Sequence, residues 1–221
     1  WNRTEWKGVE WNEPEWNGMD WNGMEWNQPE RKGMEWNGKG GRMMITECKF
    51  SHDQIKKLSK EMVILVDTKE KVNDHITNYF DKKGIAYKRQ ALDFGDYSFM
   101  LPKVEGLTSN ELYFHKEIVI ERKNSLEELS GNLGKNRDRF EKEFLKARNN
   151  GCSIHLMVEN PQGYNDIMRH NYNTDFKPVA YMASLKSFEQ RYDLKVQFID
   201  KQYSGYNIYS TFYYYMREML H

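Results

Sequence analysis

Two stretches decide the fold: LDFGDYSF at residues 92–99 and KEIVIERKNSLEEL at residues 116–129. Residues 116–123 are β-branched and apolar in the middle and charged at the end, which predicts a strand with a charged end. Residues 96–101 predict a second strand, entered through Gly95-Asp96. Charges on strands carry information because burying them costs free energy. Residues two apart on a strand share a face, so Glu121 and Lys123 point one way and Arg122 the other. With Asp96 on a neighbouring strand, Asp96, Glu121 and Lys123 meet at one sheet edge. Two carboxylates offer hard oxygen ligands to Mg²⁺ or Mn²⁺, an ion that keeps several waters and accepts a substrate phosphate. Such a metal polarises the phosphoryl oxygen and acidifies a bound water. The lysine can position that water or offset charge on the pentacovalent transition state. The chemistry implied is phosphodiester hydrolysis by in-line water attack. Taken alone, an acid followed by Glu-x-Lys occurs in many charged edge strands, so the surroundings must decide.

Working outward, MVILVD at 62–67 predicts a buried strand ending on Asp67. Ser51 can cap a short helix carrying Ile55, Leu58 and Met62. Residues 71–83 predict a helix with Val72, Ile76 and Tyr79/Phe80 on one face and Gly84 at its C-terminal cap. Residues 85–92 and 96–101 predict two strands around a turn at Asp93–Gly95, and 103–115 a polar loop. Helices are expected over 125–133, 137–149 and 178–191, and strands over 153–159 and KVQFI at 195–199. A closing helix over 205–220 places Ile208, Phe212, Tyr215 and Met219 at helical spacing. Elements in this order predict an α/β domain of three layers, with a central mixed sheet flanked by helices.

ILVDTKE, LDFGDYSF, IVIERKNSLEEL, RDRFEKE and HLMVE occur in that order between residues 64 and 159. The series resembles the nuclease domain of the XPF-type structure-specific endonucleases. Their signature is Gly-Asp, a variable gap, then Glu-Arg-Lys with three residues and an Asp. Gly95-Asp96 and Glu121-Arg122-Lys123 match it, with 24 residues between Asp96 and Glu121. The family's first strand ends in an Asp-x-Arg-Glu pattern, where Asp67, Lys69 and Glu70 stand. Its later helix carries Arg-Phe followed by an acid, matched by Arg139, Phe140 and Glu143. There are two departures: Glu127 stands where the family has Asp, and Lys69 replaces an arginine, losing the bidentate fork.

The resemblance implies a restriction-endonuclease-like fold and a metal-dependent DNA endonuclease acting on branched, flap or junction DNA. It assigns Asp96 and Glu121 to the metal, with Asp67, Glu70 and Glu127 completing the acidic cluster. Lys123 serves the water or the transition state, and Arg122 orients the cluster or contacts phosphate. Lys69, Lys135, Arg137 and Arg139, in a basic run that continues through Lys142, Lys146 and Arg148, are expected to meet DNA. The family also implies pairing of two chains, like or unlike, through the C-terminal region. No helicase motifs, phosphate-binding loop or tandem helix–hairpin–helix module are visible, so a compact stand-alone form is expected. That form is placed in the cytoplasm of a bacterial or phage-infected cell, or in the nucleus if eukaryotic. The alternative is a non-catalytic DNA-binding or scaffolding subunit that keeps the fold, which a metal-dependent cleavage assay would separate. Asp93-Phe94-Gly95 lacks the companion motifs of a kinase. The six histidines show no metal-binding spacing, and His155 reads as a packed core residue.

Residues 1–42 differ from all this. All seven tryptophans lie before residue 37, at a spacing of five broken only at Arg31. The unit WNGME fits no helix stripe, strand or solenoid, and with Pro14, Pro29 and seven glycines it cannot build a core. It can be written TGG-AAT-GGA-ATG-GAA, a five-base unit repeated, so it reads as translated simple-repeat DNA. Met43 or Met44 is then the natural start, and 43–221 the nuclease domain. A Trp-rich binding array is the functional alternative. Residues 1–41 hold 5 Lys/Arg and 8 Asp/Glu, and the remaining 180 hold 28 and 25. That balance excludes a histone-like polycation and an acidic tail protein, so any nucleic-acid affinity must be local. No apolar run approaches the ~20 residues of a membrane span. Cys48 and Cys152 make no disulfide framework, and no CxxC occurs, so a reducing compartment is expected.

Overall fold

The computed structural model describes residues 50–220. The pentapeptide repeat, the start at Met43 or Met44 and Cys48 lie outside the described residues. Strands β1 (Val63–Val66), β2 (Tyr87–Arg89), β3 (Tyr97–Leu101), β4 (Leu112–Tyr113), β5 (Ile118–Lys123), β6 (Ser153–Glu159) and β7 (Lys195–Ile199) form one sheet. Its order is β2-β1-β3-β5-β6-β7, with β4 paired to β3. β3 runs antiparallel to β1, β4 and β5, while β1–β2, β5–β6 and β6–β7 are parallel.

Helices cover both faces, as expected for a sheet with parallel crossovers. Helices α1 (His52–Lys60), α2 (Asp74–Lys83) and α7 (Ser204–Leu220) bury Ile55, Leu58, Ile76, Phe80 and Phe212 against Ile64, Phe99 and Ile120. On the other face, α3 (Leu126–Leu133), α4 (Arg137–Asn149), α5 (Tyr164–Arg169) and α6 (Pro178–Tyr192) pack Leu129, Phe140, Phe144 and Phe188 over Val119, Ile154, Leu156 and Val158. Local sequence sets several boundaries. Ser51 and Gln54 form a reciprocal capping box on α1. Gly84 ends α2 in the left-handed conformation that glycine adopts without strain.

The mixed α/β architecture agrees with the sequence reading, while some pairings and faces differ. Residues 85–92 and 96–101 do not pair with each other: β2 and β3 flank β1 on opposite sides. A period of two marks a strand but says nothing about its partner. Helix α2 begins at Asp74, leaving Val72 exposed in the loop before it rather than on an apolar face. On α7 the buried stripe is Ile208, Phe212, Met216 and Leu220, whereas Met219 is exposed. Within 103–115 the short β4 joins the sheet, and α5 fills a stretch without clear periodicity.

Candidate active site

The strand alternation places the chemistry. Ile118 and Ile120 of β5 belong to the α1/α2/α7 core and Val119 to the opposite one. Continuing outward, Glu121 and Lys123 share the face of α3 and α4, and Arg122 faces α2 and α7. Tyr97 lies opposite Ile120, and the Asp96 N–H donates to Ile120 O at 2.8 Å, so the next rung sets Asp96 opposite Glu121. Asp96 Oδ2 accepts the Arg122 N–H at 2.7 Å. The Lys123 ammonium donates to Glu121 Oε1 at 2.7 Å and stands 5.0 Å from the centroid of the Phe140 ring. Gly95 makes the approach possible. Its φ is +72°, and a Cβ there would fall 2.7 Å from Val119 Cβ.

These groups share one open cleft of about 350 Å³, walled also by Glu70, Glu128 and Phe140. Asp67 lines it, with its Oδ1 accepting the Leu92 N–H at 3.0 Å. Glu70 reaches in from the end of β1 and accepts from Arg122 Nη1 at 3.1 Å. Glu127, expected in the cluster, is not brought to it: its Oε1 accepts the Asn173 N–H at 2.9 Å. Glu128 faces the cleft instead, accepting the Asn124 N–H at 3.0 Å and lying 3.5 Å from Lys123 Nζ. Helix residues advance about 100° each, so neighbouring acids cannot face the same way.

Arg122 is not open to a phosphate. Its Nε and Nη2 donate to the two oxygens of Glu159, both at 2.8 Å, and Nη1 donates to Glu70 and to Val72 O. Glu159 also accepts from Ser204 Oγ at 2.6 Å and lies 2.7 Å from His75 Nε2. This buried network pins β5 and β6 to α2 and α7. Sequence reasoning missed Glu159, Ser204 and His75 as a group. Glu159 ends a strand on an acid, as Glu121 does, and that signal pointed to it; nothing local marked the other two.

Of the basic residues expected at DNA, Lys69 and Arg139 line the cleft and are exposed. Lys135 is exposed but outside it. Arg137 is spent elsewhere, bonded to Glu141 at 3.0 Å and stacked 4.9 Å over the Phe188 ring.

Burial raises the Asp96 pKa well above the usual carboxylate range, and Glu121 adds to this while Lys123 and the Arg122 N–H oppose it. Burial raises Glu70 as well, against the Arg122 charge. For Lys123, burial disfavours the ammonium, but Glu121, Asp96 and Glu128 outweigh it and the pKa rises. Arg122 and Ser204 hold Glu159 below its ordinary value despite burial. Among the described residues, no three His, Cys, Asp or Glu side chains stand close enough to cage a metal unaided. Two facing carboxylates in an open cleft still fit a hard divalent ion that keeps water and shares its shell with a phosphate.

A mixed sheet between helical layers, with an acid pair and a charged lysine at a solvent-open edge, defines a nuclease-type α/β domain. Residues 66–210 match the ERCC4 domain. The chain belongs to that nuclease family. No curated protein matches it in sequence. The solved structures that share its fold include two of an XPF protein. XPF from Aeropyrum pernix is 16% identical at a TM-score of 0.51, over 71% of this chain and 66% of that one. XPF from Aeropyrum pernix in complex with DNA is 16% identical at a TM-score of 0.50, over the same shares. The chain thus spans just under two thirds of the length of those it matches. The XPF-type resemblance read from the motifs is borne out in family and in fold. Among the described residues no helix is long and apolar enough to cross a membrane.

Proposed function

We propose that this chain is a Mg²⁺- or Mn²⁺-dependent DNA endonuclease acting on branched, flap or junction DNA. The observation that carries the reading is the register that sets Asp96 against Glu121 in an open cleft, with the Lys123 ammonium 2.7 Å from Glu121. Asp96 and Glu121 would hold the cation, with Glu70 at the edge of the cluster and Asp67 free to contribute its second oxygen. When bound, the ion polarises the scissile phosphoryl group and acidifies a water. The acidic neighbours of Lys123 favour its ammonium form, which suits it to act as a donor and a positive charge. It can hold the attacking water by its oxygen or stabilise the charge that builds on the phosphorane. Lys69 and Arg139 supply phosphate contacts at the rim, an assignment that fits their exposure. Pairing through the C-terminal region, with a second copy or a different chain, would use surface outside the buried stripe of α7, where Tyr206, Tyr214 and Met219 are exposed.

The test is cleavage of flap, fork, four-way junction and linear DNA in Mg²⁺ or Mn²⁺, with EDTA and Glu121→Gln as controls. Cleavage that needs the metal and disappears in Glu121→Gln, while DNA binding persists, is the expected result. Undiminished cleavage in EDTA or in the variant overturns the assignment. Binding without any metal-dependent cleavage favours the scaffolding role.

A further inference from the structure

Two adjacent acids open α3, and the fold gives them different tasks. Glu127 turns away from the cleft to Asn173 in the segment between α5 and α6. Ser130 Oγ donates to Thr174 Oγ1 of that segment at 3.0 Å, and Tyr181 OH at the start of α6 donates to Leu126 O at 2.8 Å. Glu127 is therefore one of three fastenings between α3 and the α5–α6 region. The Asn173 N–H holds its carboxyl below the ordinary value.

Glu128 turns the other way. One oxygen caps the turn between β5 and α3 through the Asn124 N–H at 3.0 Å, and the other faces Lys123 Nζ at 3.5 Å. Lys123 is thereby placed by three neighbours: Glu121 at 2.7 Å, Glu128, and the Phe140 ring beneath it. A lysine carries a point charge on a flexible four-carbon stem, so its position is set by what surrounds it. The ammonium already sits 2.7 Å from Glu121, with the Asp96 charge nearby, so what Glu128 adds is a hold from the helix side. A second carboxylate, fixed to the backbone on the helix side, shares the ammonium and holds it beside the acid pair.

We propose that Glu128 is a positioning residue for Lys123, and that Glu127, which stands at the family's acidic position, is a latch for the α5–α6 segment. The role in catalysis rests on the nuclease reading above, whereas the contact itself does not. The experiment uses the full chain with Lys123→Ala, Glu128→Gln, Glu127→Gln and the double variant Lys123→Ala/Glu128→Gln. Single-turnover cleavage is measured at saturating metal and DNA, and KM and Tm are measured alongside. One misplaced group costs up to about 10²-fold, so Glu128→Gln should slow cleavage at least about tenfold, with KM and Tm nearly unchanged. The double variant should be no slower than Lys123→Ala, because two residues acting as a unit are not additive. Glu127→Gln should lower Tm and leave the rate of the folded enzyme within about threefold.

A second readout needs no activity. In metal-free protein labelled with ¹⁵N-lysine, the Nζ signal that vanishes in Lys123→Ala should move in Glu128→Gln and stay in place in Glu127→Gln. The proposal is overturned if the two rate losses multiply, if Glu128→Gln cleaves like the parent, or if Glu127→Gln and not Glu128→Gln moves the Nζ signal. Should the parent chain cleave nothing, the nuclease reading fails, and the Nζ signal still decides whether Glu128 holds Lys123.

Discussion

Arg122→Met tests whether this arginine is a buried pin or a phosphate contact. The Arg122 side chain is 4% exposed and that of Glu159 0%, with two 2.8 Å bonds between them. Methionine keeps much of the length and the apolar stem but leaves Glu159 without its main cation. Removing one member of a buried pair costs about 3–5 kcal/mol. Ser204 and His75 remain hydrogen-bonded to Glu159, which favours the lower end, about 3 kcal/mol. In a domain of this size that lowers Tm by roughly 6–12 °C. Urea unfolding followed by circular dichroism at pH 7 reads the change directly, with the slope against urea unaltered. Adding Glu159→Leu should recover most of the loss, since a buried pair replaced by apolar groups is often neutral or better. The DNA affinity of the folded variant should keep its salt dependence. A loss below about 1 kcal/mol, no recovery in the double variant, or a salt slope reduced by about one unit would refute the pin and restore the phosphate contact.

Three further outcomes follow from the geometry. Gly95→Ala combines a positive φ with a 2.7 Å approach to Val119 Cβ, so it should destabilise by about 2–4 kcal/mol in urea unfolding, and a loss under about 0.5 kcal/mol contradicts the close passage. Burial lowers the His155 pKa to about 4, so the unfolded chain takes up a proton that the folded one refuses. Stability should fall as pH drops from about 6.5 to about 4, by up to ~3 kcal/mol. The raised pKa of Asp96 pulls the opposite way, so the measurement is the difference between the parent and His155→Leu, which a constant difference across that window would contradict. For DNA, Lys69→Ala and Arg139→Ala should each weaken binding on all sequences and reduce the salt slope by about one unit. Arg137→Ala should cost stability and leave the slope unchanged, and the reverse pattern would place the DNA on the α6 side.

By itself, the sequence determined what is encoded locally. Residues 118–123 and 153–159 announce strands by composition, and Ser51 with Gln54 announces a helix start. The alternation Glu121-Arg122-Lys123 fixes that two of the three share a face, because that depends only on the strand repeat. Gly95 beside Asp96 was legible as a motif, though its reason, contact with Val119 across the sheet, was not. Tertiary structure decided the rest, since those choices depend on residues far apart in the chain. β1 separates β2 from β3 because each strand's partner is set by the packing of whole layers. Arg122 finds Glu159 and Glu70, and Ser204 joins through Glu159, because β6, α7 and the end of β1 converge on its face of the sheet, which buries its charge and demands paired acids. Glu127 and Glu128 look alike in sequence. Which of them faces Lys123 depends on the rotation at which α3 docks, and that rotation is set by burying Leu126, Leu129 and Leu133 against the sheet.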